Sequence, residues 1–274
     1  MTRLPSAAFG LRSSQKSNRI PAANPANLSA NLLMVAYPES RGLKPLPYSQ
    51  AEATAIKLIW EQSGQTVREL VDNAATNYNL DSAFCQGKSP GEISQTSQIF
   101  HFSGHGNYDQ KQPNLSCLFL TGNDELTAAE IANLSLSYYG LAYINACETG
   151  ITNIETIETE YVGLVSAFLR AGVGQVISSL WPVNDEAAGL LAIKFYQAYL
   201  AGEPAVIALR KAKFWLQTAT WADIIQVYRD CLANASEADA SILNMAKSRS
   251  EKKNPQDIPF SDAGFWAGVV ISGL

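Results

Sequence analysis

The sequence predicts an α/β sandwich built on a mostly parallel sheet. Three observations lead there. Short apolar runs bounded by turn residues alternate along the chain with segments of helical periodicity. The 274 residues are 47% hydrophobic and 16% charged, enough apolar material for a large core and too much for a disordered chain. The two residues best suited to chemistry, His105 and Cys147, each follow a predicted strand, and sites in parallel sheets sit at the carboxyl ends of the strands.

Residues 1–29 carry Arg3, Arg12, Lys16 and Arg19 with no acid, and Pro5, Pro21 and Pro25 interrupt any long helix. They lack the apolar stretch of a secretory signal and read as a flexible lead-in. The folded domain is expected over residues 30–274. Residues 32–36 form a continuous apolar run closed by Pro38, as a buried strand would. Residues 45–48 read as a rigid loop. Ser49, with Glu52 three residues on, has the pattern of a capping box and opens a helix that runs to about Gln62 and stops at Gly64.

Strands are expected over residues 66–70, 97–102 and 117–120, the second running into Ser103, Gly104, His105 and Gly106. Thr127 and Glu130 form a second capping box, on a short helix. A strand over residues 143–146 leads into Cys147. Tyr161, Leu164, Val165, Phe168 and Leu169 share one helical face, and Gly172 ends that helix. A strand follows over residues 175–180. Asn184 or Asp185 caps a helix bearing Leu191, Phe195, Ala198 and Tyr199. Pro204 opens another, with Ala205, Leu209, Ala212 and Leu216 on one face. Residues 232–258 are polar and mixed in charge and read as a helix fragment plus a mobile loop. Residues 265–271 read as the last strand.

Several functions are excluded early. A net charge of −5 argues against nucleic-acid binding. No apolar run reaches the roughly 18 residues that would cross a membrane. Cys85, Cys117, Cys147 and Cys231 have no CxxC spacing and read as thiols of a reducing compartment, so a cytoplasmic location is expected. Gly87-Lys88-Ser89 resembles the end of a phosphate loop, but Ser82 stands where the first glycine is required. His101 and His105 are four residues apart on a strand, roughly 13 Å at 3.3 Å per residue, too far to share one metal ion. No metal or cofactor is expected. His101 reads as a satisfied core histidine, with support of the site as the alternative.

A thiol becomes a useful nucleophile when a base or dipole supports its thiolate. Cys147 leaves its strand into Glu148-Thr149-Gly150, a tight turn that exposes the sulfur and leaves backbone N–H groups for an oxyanion. His105 lies between two glycines, which leave the imidazole uncrowded. Position alone leaves Cys147 open between a small buried hydrophobe and a nucleophile.

Phe102-Ser103-Gly104-His105-Gly106 and Asn145-Ala146-Cys147-Glu148-Thr149-Gly150 resemble the two signature segments of CHAT domains, caspase-like peptidases of clan CD related to separases and caspases. Leu46–Ala53, Ser178–Asp185, Phe195-Tyr196 and Phe265–Ala267 are similar to further family segments. The resemblance implies a caspase-like three-layer α/β/α sandwich and cysteine endopeptidase activity on protein or peptide substrates. It implies Cys147 as nucleophile, His105 as general acid/base, and the backbone N–H groups of Gly106 and Cys147 as the oxyanion hole. It implies no cofactor. Relatives often carry helical repeats and are switched on by a partner, a metal or self-cleavage, so a regulatory helical-repeat partner is expected.

The chain also departs from the family pattern. A Gly-Glu-Gly stretch often follows the Cys segment, and here residues 153–161 are an acidic loop instead. The family fold usually begins further upstream. A truncated or minimal form therefore stands open, and with it the alternative of a non-catalytic interaction module. Clan relatives differ in preferring an acidic or a basic P1 residue, and a basic one needs an acidic pocket. Asp185 is the candidate floor, with a helix cap as its other reading. Asn145 and Trp181 are candidate lining residues, with service to the turn and plain packing as theirs.

Overall fold

The structure is a computed structural model that describes residues 2–3, 31–39, 42–44, 46–86, 98–109, 111–148 and 160–273. Its strands are β1 (Thr2–Arg3), β2 (Asn31–Ala36), β3 (Thr66–Val71), β4 (Gln98–Asn107), β5 (Cys117–Phe119), β6 (Glu125–Thr127), β7 (Tyr139–Glu148), β8 (Gln175–Ser179) and β9 (Val269–Gly273). They form one sheet in the order β1-β9-β8-β7-β4-β2-β3, with β5 and β6 branching from β4. The central ladders β3–β2–β4–β7–β8 are parallel. Only β9 against β8, and the small β4–β5–β6 branch, run antiparallel.

The helices are α1 (Pro47–Gln62), α2 (Asn77–Gln86), α3 (Ala128–Asn133), α4 (Glu160–Ala171), α5 (Asp185–Leu200), α6 (Ala205–Thr218), α7 (Trp221–Leu232) and α8 (Glu237–Ser250). Two apolar clusters, one on each face of the sheet, make the three layers. Strand β2 shows how one strand feeds both, since successive side chains point to opposite faces. Leu32, Met34 and Ala36 join the cluster under α1 and α5–α8, while Leu33 and Val35 join the cluster under α2–α4. A strand buried on both faces reads as a continuous apolar run, which is why residues 32–36 are legible.

Several elements differ from the sequence expectation, each for a physical reason. Strand β4 runs through the Ser-Gly-His-Gly segment to Asn107, because β5 pairs with it at Gly106 and Asn107. The last strand starts at Val269, and residues 263–265 form a 3-10 turn whose entry is capped by the Asp262 side chain on Gly264 N–H. Helix α7 has no counterpart in the periodicity reading, although Thr220 and Asp223 form a complete capping box at its start. Within residues 232–258, the expected helix fragment is the 14-residue helix α8, opened by Ser236. No helix among the described residues is long and apolar enough to cross a membrane.

Candidate active site

His105 and Cys147 meet at the carboxyl end of the sheet. Strands β4 and β7 are parallel neighbours, and their register sets His105 directly opposite Cys147, with Ser103 opposite Asn145 one pleat earlier. The glycines flanking His105 are required by packing. A Cβ on Gly104 would lie 3.1 Å from both the Phe102 ring and Pro38, and one on Gly106 would lie 3.2 Å from Ala146 Cβ and the Cys117 carbonyl. Thr149, Gly150 and the acidic segment over residues 153–159 lie outside the described residues, as does the Cys147 side chain.

The imidazole of His105 is buried, and its Nε2 lies 2.9 Å from the Lys44 carbonyl oxygen. A carbonyl only accepts, so Nε2 carries the proton and donates it. In the neutral ring this leaves Nδ1 with its lone pair. Nδ1 is buried and has no hydrogen-bond partner among the described side chains. The ring is thus held in one tautomer with a basic nitrogen free for proton transfer. Lys44 enters through its main chain, so no side-chain signal marks it in the sequence.

Beneath this pair lies a buried polar cluster that the sequence reading missed. Glu52 does not form a capping box with Ser49. Helix α1 begins at Pro47, which has no N–H to cap, and its N-cap residue Leu46 gives no side-chain bond. The Glu52 carboxylate instead points into the sheet. Its Oε2 accepts from Ser103 Oγ at 2.6 Å and from Asn145 Nδ2 at 2.8 Å. Its Oε1 lies 3.2 Å from His101 Nε2, within ion-pair distance but not aligned as a hydrogen bond. His101 Nδ1 is 3.1 Å from the Tyr196 hydroxyl, whose own pKa burial holds well above the usual phenol range. Ser49 Oγ adds a bond to the Ser103 carbonyl at 2.9 Å. His101 is therefore a partnered core histidine next to the site. The signal for Glu52 was one carboxylate inside the otherwise small and apolar run of residues 51–56.

The three candidate pocket residues part ways. Trp181 lines a cavity of about 60 Å³ with Gly106, Tyr108, Ala146, Leu164 and Ser178. Its ring is fixed there: Nε1 donates to the Gly264 carbonyl at 2.9 Å, and a Cβ on Gly268 would lie 2.5 Å from it. Asn145 lies at a smaller cleft with Ser179 and Val183, its amide committed to Glu52. Asp185 does not line the Trp181 cavity. It does not cap its own helix either, since the Asn184 side chain takes the Ala187 N–H. Asp185 Oδ2 accepts the Tyr48 N–H at 3.0 Å, and so satisfies a first-turn donor of α1.

Burial pushes the Asp185 carboxyl up to about 6, with the Glu52 charge adding and the Tyr48 N–H and Arg249 opposing. A raised folded-state value means that the folded chain binds this proton more tightly than the unfolded chain. The contribution to stability is therefore full below about pH 4 and is lost as pH rises through about 6. Asp185→Asn keeps an acceptor for Tyr48 without the charge. It should stabilise the fold at pH 8, by at most about 3 kcal/mol, and change little at pH 4. Thermal unfolding at the two pH values checks this, and equal shifts at both would refute it.

No curated protein matches the chain. Solved structures that resemble it include two of the gingipain RgpB. The Arg-specific cysteine proteinase gingipain R (RgpB) is 11% identical with a TM-score of 0.48, and the match covers 96% of this chain and 51% of that one. The complex of Porphyromonas gingivalis RgpB pro- and mature domains is 12% identical with a TM-score of 0.44, over the same shares. The chain spans about half the length of these structures. The CHAT domain profile matches residues 3–274, nearly the whole sequence, and the chain therefore belongs to the CHAT domain family.

Proposed function

We propose that the chain is a cysteine endopeptidase that works through Cys147 and His105. The observation that carries this reading is the placement of His105 opposite Cys147, with its Nε2 tied to the Lys44 carbonyl and its Nδ1 left unpaired among the described residues. Nδ1 takes the Cys147 proton, and the thiolate attacks the scissile carbonyl carbon. Backbone N–H groups of Gly106 and Cys147 are assigned to the oxyanion. The imidazolium then protonates the leaving amine, giving a thioester and a new N-terminus. Water, deprotonated by the same nitrogen, hydrolyses the thioester and regenerates the thiol.

The cavity beside Trp181 is assigned to the P1 side chain. None of its described lining residues is charged, which favours an uncharged P1 residue over the basic one that an Asp185 floor would take. A cytoplasmic location and a regulatory role are part of the same proposal, and the free thiols Cys85, Cys117 and Cys231 suit a reducing compartment. The test is hydrolysis of a peptide library varied at P1, by wild type and by Cys147→Ala. Cleavage that vanishes in the variant supports the reading. If the folded wild type and the variant are equally silent, the reading gives way to a caspase-like interaction module or to a peptidase that needs its partner.

A further inference from the structure

Among the described residues, the Glu52 carboxylate joins both strands of the proposed dyad. It comes from α1, is 1% exposed, and sits one pleat before the His105–Cys147 rung. Through one oxygen it holds Ser103, two residues before His105, and Asn145, two residues before Cys147. The same helix grips β4 again through Ser49 on the Ser103 carbonyl. Burying a carboxylate costs several kcal/mol unless it is paired, so the fold keeps this one only with its donors in place. Two such donors on adjacent strands, bound to a single atom, fix the relative offset of the strand ends. One pleat further on, that offset becomes the distance between imidazole and sulfur.

We propose that Glu52 is a positioning residue, which aligns His105 with Cys147 by cross-linking Ser103 and Asn145. The proposal rests on the peptidase reading above for its consequence, and on this bonding pattern for its geometry. Packing alone would tolerate an isosteric amide. Positioning would suffer, because in Glu52→Gln the one remaining oxygen holds Ser103 and Asn145 without the carboxylate's charge, and only with the new N–H₂ group turned onto His101 Nε2 in place of Oε1.

The test uses Glu52→Gln, Asn145→Asp and the double variant, in the full chain. The double variant restores an amide–carboxylate pair between the same two positions with the polarity reversed. Both single variants should lose about 10–100-fold in kcat, with KM within about 3-fold of wild type, as expected when reacting groups are misaligned rather than substrate lost. The double variant should recover most of that loss. A second readout does not need turnover: alkylation of Cys147 by iodoacetamide, followed by mass spectrometry. Its rate should change about 5-fold or more in the single variants and return in the double one, in step with the thiolate's supporting base. Exposed Cys85 reports the reagent, and buried Cys117 and Cys231 report unfolding, within the same sample.

A folded Glu52→Gln chain with unchanged kcat and unchanged Cys147 labelling would overturn the proposal. So would a double variant that stays folded and as impaired as Glu52→Gln. Wild-type silence toward peptides would defeat the peptidase reading alone, because the labelling rates still decide whether Glu52 positions the pair.

Discussion

If the chain is the peptidase proposed above, replacing Cys147 with Ala is expected to reduce peptide hydrolysis to the level of buffer, and replacing His105 with Ala to reduce it by about 10²–10⁴-fold. The two losses differ in kind. Without the sulfur no acyl-enzyme can form, so the whole covalent route closes. Without the imidazole the thiol keeps its ordinary acidity, a few per cent is thiolate at neutral pH, and the leaving amine must find its proton in water. The double variant should be no worse than Cys147→Ala, because residues that act as one unit are not additive. Initial rates on the best library peptide provide the measurement. A Cys147→Ala chain that still cleaves at more than a few per cent of the wild-type rate would assign the hydrolysis to another group or to a contaminant.

Phe100→Ala is expected to be among the most damaging changes to the fold, at about 3–5 kcal/mol. Phe100 lies on central strand β4 and is 1% exposed, with ring centroids of Phe84 and Phe168 each 5.5 Å away. It thus bridges α2 and α4 across the face opposite Glu52. Truncation would remove both ring contacts and leave a cavity between two helices that cannot both move in. Urea titration should show a lowered midpoint with an unchanged slope. A loss below about 1 kcal/mol would mean that the site collapses freely, contrary to the packing described. The larger loss would also be felt at the candidate site, since His105 is on the same strand.

The strand and helix order was legible where periodicity and burial agree. Strand β2 and helix α5 are buried over most of their length, and their apolar runs announce them. Helix α7 has no counterpart in the periodicity reading although it is amphipathic, because it follows α6 after two residues with no Gly or Pro to separate the two apolar patterns. At the site, the glycines flanking His105 were legible because Phe102, Pro38 and Ala146 leave little room for a Cβ on either side of it. Glu52 fits the local pattern of a capping box, and that pattern hides its direction into the sheet. Its partners, Ser103 and Asn145, are 51 and 93 residues away in sequence, and no local pattern encodes them. Asp185 shows the same limit: it does act on a helix N-terminus, but on that of α1, 137 residues upstream.

The contact between His105 and Lys44 has a consequence for how this site varies and how it is probed. The atom that orients the imidazole is a main-chain oxygen. Any residue except one that redirects the backbone supplies the same oxygen, so an alanine scan through this loop passes over it without effect. The constraint falls on the length and path of the loop between β2 and α1, not on its letters. A single-residue insertion or deletion ahead of Pro47 would move the oxygen that holds the ring while every side chain of the proposed site remained present.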